Sequence, residues 1–396
     1  MATRVIDDSK LQSIAVAIQG KDGGGQMTVD EMPGRIDALP TGGTTVKKAV
    51  NFYTFKGLAY SYTAEEAAAL TEMPEPPTIE GFTFQKWNGW TVEKIKTWLE
   101  NHDSGELGVG GLYVTTDGHT RIKMHLREPQ MASFPMPFCI QQMAGTVVID
   151  WGDGSTPETI TAAGVYSHAW QVSQYPVDVV IDIDYTPSGS TKLVLGRAVG
   201  STTYGLFNDE PYYASCVTEV EYGANNDSSA YSATFKNCLH LKTINIPFGF
   251  SVIGNNAFQN CTNLALTVLP DGVTSIGNNA FQNCTNLALT VLPDGLTNIG
   301  GYVFSGCTNL ALTVLPDGVT SIGNYAFSDC TNLYFIDLTK FTNPQSIPTL
   351  ANANAFQGIP AQAQFQFANQ TMLDAFAAAT NWSTLSSKFV VKGATT

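Results

Sequence analysis

The chain has 396 residues, 43% of them hydrophobic and 14% charged, with 34 acidic against 20 basic side chains and a formal net charge of −14. Its length allows about two to four domains, and no apolar run approaches the ~18 residues that a membrane-spanning helix needs, so membrane insertion is not expected. The acidic balance argues against electrostatic binding of nucleic acid, which requires clustered Lys and Arg against phosphates, and no basic residue occurs between Lys242 and Lys340.

In chain order, residues 1–45 hold Leu11, Ile14, Ala15 and Ile18 at helical spacing, then Thr28 with Glu31 three residues on, a capping box ahead of Met32 and Ile36. The Gly23-Gly24-Gly25 turn between them is no phosphate loop, because no strand precedes it and no Lys-Ser/Thr pair follows. The pattern L-x-x-I-A-x-A-I-x-x-K followed by M-T-x-x-E-M-P-x-x-I resembles a short module near the ends of tail and fibre proteins of phages of Gram-positive bacteria. That resemblance implies an attachment module contacting other virion proteins. A helical pair of about 40 residues has too little core to stand alone, which predicts a partner surface or self-association into a homo-oligomer. The start, MATRVIDDSK, lacks the charged n-region and apolar core of a secretory signal, so export by that route is not expected.

Residues 46–104 read as a small β module: Asn51–Tyr53 and Leu58–Tyr62 form a hairpin around Phe55-Lys56-Gly57, Ala64–Leu70 a helical turn or two, and Phe82–Trp90 a last strand. Thr91 caps a linking helix from Val92 to Asn101. The module resembles one that accompanies repeat arrays in phage-encoded surface proteins. Tyr53, Tyr60, Trp87 and Trp90 could stack on sugar rings, although in so small a module aromatics commonly form the core.

Residues 105–197 are strand-rich. VVIDWGDGST over Val147–Thr156, Tyr166–Trp170 and the alternating Val177, Val179, Ile181 and Ile183 resemble a PKD-like β-sandwich, with Trp151 where that family commonly has Phe and Ile149 where it has Trp. Asp150 and Asp153 flank a glycine turn and fall short of the six or more oxygens that calcium takes, so turn-capping hydrogen bonds are expected of them. His168 is expected to be a packed strand residue.

From residue 198 to 357 the sequence copies itself. Phe258, Phe281, Phe304 and Phe327 stand 23 positions apart, as do Cys238, Cys261, Cys284, Cys307 and Cys330, the signature of a solenoid whose units cannot bury an apolar face alone. Pro270-Asp271-Gly272 and its copies at Pro293 and Pro316 mark turns, and the apolar runs such as Leu264–Leu269 are expected to be the stacked strands. The motif I-G-x-x-A-F-x-x-C-T-N-L with a P-D-G-V turn resembles the BspA-like leucine-rich repeat of bacterial and phage surface proteins. The expected repeat core is Phe258, Cys261, Leu264, Phe281, Cys284, Leu287, Phe304, Cys307, Leu310, Phe327, Cys330 and Leu333. Asn255, Gln259, Thr262, Asn278, Gln282 and Thr285 form the candidate recognition surface. The cysteine column is expected to be free, packed thiols, since no C-x-x-C spacing supports zinc. The column Asp271, Asp294, Asp317 suggests a calcium ladder, but its place in a Pro-Asp-Gly turn accounts for it without an ion. Residues 358–396 read as a C-terminal cap with a strand, a helix over Thr371–Ala379 and a closing strand, plugged by Trp382 and Phe389.

The fold class expected is therefore mainly β and multidomain. The five histidines are scattered, and no H-E-x-x-H, G-x-S-x-G or Walker motif occurs, so neither catalytic residues nor cofactor nor metal is expected. Together the resemblances imply a virion protein assembled in the host cytoplasm, a tail fibre or receptor-binding protein facing a host-surface protein or glycan. A bacterial adhesin built from the same repeats and a virion-associated polysaccharide hydrolase, which would need paired carboxylates in a cleft, are the alternatives.

Overall fold

The computed structural model describes residues 48–101, 106–127, 135–189, 193–199, 202–204, 206–207, 210–223, 229–230, 234–246, 249–312 and 314–393; the attachment module expected over residues 1–45 lies outside them. The hairpin forms from β1 (Ala49–Thr54) and β2 (Gly57–Thr63). Helix α1 (Ala64–Ala68) follows at once, because the Thr63 hydroxyl accepts the Glu66 N–H while the Glu66 carboxylate accepts the Thr63 N–H. After β3 (Phe82–Trp87), α2 (Val92–Asn101) starts at Thr91, whose hydroxyl accepts the Lys94 N–H at 3.3 Å.

Strand β4 (Glu106–Thr115) corrects the expected boundary at residue 105. It lies inside the first sheet, parallel to β1 and antiparallel to β3, in the order β2-β1-β4-β3. The alternation in Leu107-Gly108-Val109-Gly110 explains why. Leu107 and Val109 pack with Val50, Phe52, Trp87, Ile95, Trp98 and Leu99 in the core of this module, while the glycines leave the other face bare for close approach. Phe52 meets Trp87 edge-on at 5.1 Å, so Trp87 is core.

The next layer is a sandwich. β5 (Thr120–Leu126), β7 (Gly145–Asp150), β8 (Glu158–Ile160) and β10 (Val177–Pro187) share one sheet, and β6 (Met136–Gln142), β9 (Gly164–His168) and β11 (Val194–Leu195) another. Inward residues such as Ile122, Phe138, Ile149, Ile181 and Ile183 are at most 2% exposed. His168 stacks on Trp151 (4.4 Å, 10°) and meets the Asp153 carboxylate at 2.8 Å. Asp150 and Asp153 cap their own turn, accepting the N–H groups of Gly152 and Ser155.

The boundary expected at residue 197 also disappears. A short ribbon, β12 (Arg197–Val199) with β13 (Thr202–Tyr204), and the single-turn helix α3 (Pro211–Ala214) lead to β14 (Val217–Glu221), which bonds antiparallel to β5 and parallel to β16 (Thr243–Asn245). The sandwich sheet thereby runs into the first coil, and a hydrophobic core continues from Ile122 to Leu385. Residues 48–396 fold as one compact unit.

In the solenoid, the two-residue strands β15 (Ser229–Ala230), β17 (Val252–Ile253), β18 (Ser275–Ile276), β19 (Asn298–Ile299), β20 (Ser321–Ile322) and β22 (Thr349–Leu350) stack in a parallel ladder. Among the described residues of the three identical coils, the strands expected at Leu264–Leu269 and its copies are not there. That side of these coils carries isolated bridges, Val291 to Val314 and Val314 to Asp337, and regular strands stand at the equivalent position in the flanking coils, Thr243–Asn245 and Phe335–Asp337. The reason lies in the spacing: Leu264, Leu266 and Leu269 are all buried, yet a strand presents alternate residues to one face. Burying residues two and then three apart forces a kink, and Pro270 then has no N–H to donate.

Strands β21 (Phe335–Asp337), β23 (Gln364–Phe367) and β24 (Phe389–Val391) close the far end with α4 (Gln370–Ala378). Trp382 is 1% exposed, donates its indole N–H to the Pro348 carbonyl at 2.7 Å and lies against Phe356, Phe365 and Phe376. Phe389 packs over Phe365 and Phe367. Among the described residues no helix is long and apolar enough to cross a membrane.

Candidate functional site

Each coil is built from a few columns. Phe235, Phe258, Phe281, Phe304, Phe327 and Phe356 stack with ring centroids 5.0–5.8 Å apart, an offset arrangement that aromatic rings favour. Cys261, Cys284, Cys307 and Cys330 each point the thiol at the carbonyl of the Phe one coil back, at 3.0–3.1 Å. All are free and buried, and burial pushes the Cys261, Cys284 and Cys307 thiols well above the usual range. The Leu264, Leu287, Leu310 and Leu333 column is at most 1% exposed.

The Asn-rich turns have a backbone cause. Asn256, Asn260, Asn279 and Asn283 all have φ between 56° and 64°, the left-handed region that Asn tolerates better than other side chains except Gly. These turns make a second ladder: the N–H groups of Asn256, Phe258 and Asn260 donate to the carbonyls of Asn278, Ala280 and Gln282 at 2.8–2.9 Å.

The candidate recognition residues serve the same ladder. The Asn255 side-chain oxygen accepts the Asn278 N–H and that of Asn278 accepts the Gly301 N–H, both at 2.7 Å. The Gln259 amide donates to Gln282 at 2.6 Å. The hydroxyls of Thr262 and Thr285 donate to the carbonyls of Leu239 and Thr262 at 3.2 and 3.0 Å. Asn255 and Asn278 are exposed, and Gln259, Thr262, Gln282 and Thr285 half-buried. These side chains line one edge of the coils and join coil to coil at the same time. The aspartates do not act as one column: Asp271 pairs with Lys86 at 3.2 Å, Asp294 with Lys340 at 3.4 Å, and Asp317 is exposed. Among the described residues no group of three or more His, Cys, Asp or Glu side chains is placed to hold a metal ion.

Two features are absent from the sequence reading. First, the β4 sheet lies on the solenoid. A β-carbon on Gly110 would stand 2.4 Å from Val268 Cγ1, and one on Gly108 2.5 Å from Thr290 Oγ1. Asn88 donates to the Leu269 carbonyl and accepts the Asp271 N–H, both at 2.5 Å. The stretch Leu266–Asp271 is therefore covered from within the chain. Second, Tyr302 and Tyr325 occupy the left-handed position held by Asn256 and Asn279, at φ 57° and 54°, and stack at 4.9 Å and 15°. The signal for this pair was the mismatch between otherwise copied coils.

Residues 228–359 match the family of the BspA type leucine rich repeat region in 6 copies. The repeat region is also similar to parts of solved structures. These include a T. pallidum leucine-rich repeat protein (25% identity, 35% of this chain and 74% of that one, TM-score 0.27). Others are a leucine-rich repeat protein from Bacteroides ovatus (20%, 46% and 58%, 0.33) and a leucine-rich cell surface protein from Faecalibacterium prausnitzii (24%, 43% and 52%, 0.28). The chain thus spans about half to three quarters of the length of these relatives. No curated protein matches it.

Proposed function

We propose that this chain is a non-enzymatic recognition protein on the exterior of a bacteriophage particle, a tail fibre or receptor-binding component that presents the repeat region to a host-surface protein or glycan. Residues 1–45 attach it to other virion proteins, and the β module and the sandwich, which resembles PKD-like domains, act as spacers. The observation that carries recognition is where the coils differ. Ala265–Gly272 is repeated without change at 288–295 and 311–318, whereas Asn278-Asn279-Ala280-Phe281-Gln282-Asn283 becomes Gly301-Tyr302-Val303-Phe304-Ser305-Gly306 in the next coil. The first sheet meets this constant stretch in the first two coils, at Val268–Asp271 and at Thr290, whereas the changing segment carries the exposed Tyr302. Tyr302, 38% exposed, holds a backbone conformation that costs a bulky residue about 1 kcal/mol. Its ring stacks on Tyr325, and an exposed aromatic pair of this kind offers a flat contact surface.

The test has two parts. Immunogold labelling against the repeat region places the protein on phage tails or fibres; label on bacterial surfaces and none on particles overturns the virion reading in favour of an adhesin. The double variant Tyr302→Asn, Tyr325→Asn restores the parent turn, keeps the fold and loses binding to host cells; undiminished binding overturns the assignment of the edge.

A further inference from the structure

The groups around Tyr302 define what kind of ligand the exposed edge can hold. One side of the ring is occupied: Tyr325 stacks on it, and the Tyr325 hydroxyl in turn accepts the Asn354 amide at 2.8 Å. On the other side stands the coil of Asn279, which fills the same left-handed position one repeat back. An Asn side chain is shorter than a tyrosine by most of a ring, so the outer part of the Tyr302 ring extends past it and is exposed. Next to the ring the chain omits a side chain. Gly301 stands where the other coils have Asn255, Asn278 and Asn324. Packing does not call for that glycine, because a β-carbon there would come no closer than 3.4 Å to the Asn324 carbonyl and 3.6 Å to Asn278 Oδ1. The result is a notch beside the ring, with Asn278 in the coil before it and Asn324 in the coil after.

The polar groups at this notch are neutral. The Asn278 oxygen accepts the Gly301 N–H at 2.7 Å, which leaves its amide nitrogen as a donor. Asn278 and Asn324 are both exposed. No basic residue occurs between Lys242 and Lys340. Of the acids in that stretch, Asp271 and Asp294 pair with lysines, Asp337 is buried and Asp317 belongs to a Pro-Asp-Gly turn, so Asp329 is the one charge on the asparagine-type turns. Among the described residues, Tyr302 is also the one exposed large apolar side chain between Ser275 and Leu333. Protein interfaces bury clustered aromatic and Arg anchors in a desolvated patch. A lone ring edged by neutral amides suits a sugar instead, whose C–H face packs on the ring while its hydroxyls exchange hydrogen bonds with the amides.

We infer that this edge binds a neutral saccharide, with one sugar ring against Tyr302 in the notch at Gly301 and its hydroxyls bonded to Asn278 and Asn324. The inference rests on the reading of this edge as the recognition surface and narrows it to one ligand class.

Binding of the full chain to host cells tests it, measured on untreated cells, on cells treated with periodate, which cleaves vicinal diols, and on cells treated with trypsin. Periodate should abolish binding and trypsin leave it intact, and affinity should hold from ~50 to ~500 mM salt, as a neutral ligand requires. Gly301→Asn fills the notch and Tyr302→Asn removes the ring. Each copies the coil before it, so the coil is kept, and each should weaken binding about tenfold. Tyr302→Phe, which retains the ring, should recover most of what Tyr302→Asn loses. Binding that trypsin abolishes and periodate spares makes the partner a protein; if Tyr302→Asn still weakens it, the edge stands and this inference falls. A steep loss of affinity with salt, or full binding by Gly301→Asn, also overturns it. Cell binding that neither Tyr302→Asn nor Gly301→Asn changes, or none by the wild type, removes the recognition edge itself and the inference with it.

Discussion

Placing a methyl group on Gly110 tests the docking of the first sheet on the coils. Its β-carbon would meet Val268 Cγ1 at 2.4 Å, Cβ at 2.7 Å and Cγ2 at 2.8 Å, so no rotation of the Val268 side chain clears the overlap. Ordinary carbon contacts lie at ~3.5–4.0 Å, which means that the sheet must lift by about 1 Å. Lifting weakens the Asn88 bonds to Leu269 and Asp271 and the Lys86–Asp271 pair together. Overpacking of this kind costs about 1–3 kcal/mol, and Gly110→Val should lie at or above the upper end. Urea unfolding gives the free-energy change, and amide exchange at residues 268–271 shows whether the contact opens. Gly164→Ala is the control, because its added carbon finds nothing closer than 3.6 Å. If Gly110→Ala matches wild type within ~0.5 kcal/mol, with unchanged exchange at 268–271, the sheet does not lie on Val268 and the docking argument fails.

Other outcomes follow from the same geometry. Phe281→Ala, in the middle of the ring stack, should destabilise by about 3–5 kcal/mol in a denaturant titration; a loss under ~1 kcal/mol would mean that the coils do not share this column. In native protein at pH 8 the repeat cysteines should resist a thiol reagent such as DTNB and react once unfolded, because their thiols are raised by burial; rapid labelling of the folded protein refutes the packing. Burial pulls the Asp153 carboxyl up, but hydrogen bonds from Ser155, the Gln171 N–H and His168 outweigh it and hold it at about 2. The folded value is thus depressed below the ~3.9 of an unfolded Asp, so its contribution is present above pH ~4 and lost as pH falls from ~4 to ~2. Wild type should lose about 1–2 kcal/mol more over that window than Asp153→Asn, and parallel pH profiles contradict it.

The repeat was legible because a 23-residue period, a Phe-Cys column and Asn at the turns leave little choice: identical coils can bury their apolar side only by stacking, and Asn marks the left-handed positions at 256, 260, 279 and 283. Hairpin, caps and the plugging Trp382 were legible for equally local reasons. What the sequence could not decide is which polar side chains are spent on holding coils together. Asn255 and Gln259 look like free surface in a string of letters and become ladder members only when the next coil is beside them. Likewise, Leu107-Gly108-Val109-Gly110 reads as the start of a new domain. Its glycines acquire meaning only against Val268 and Thr290, more than 150 residues away. Local periodicity fixes how each segment folds; which bare face meets which depends on contacts between distant segments that no local pattern encodes, and those contacts decided where the covered stretch and the exposed tyrosine edge lie.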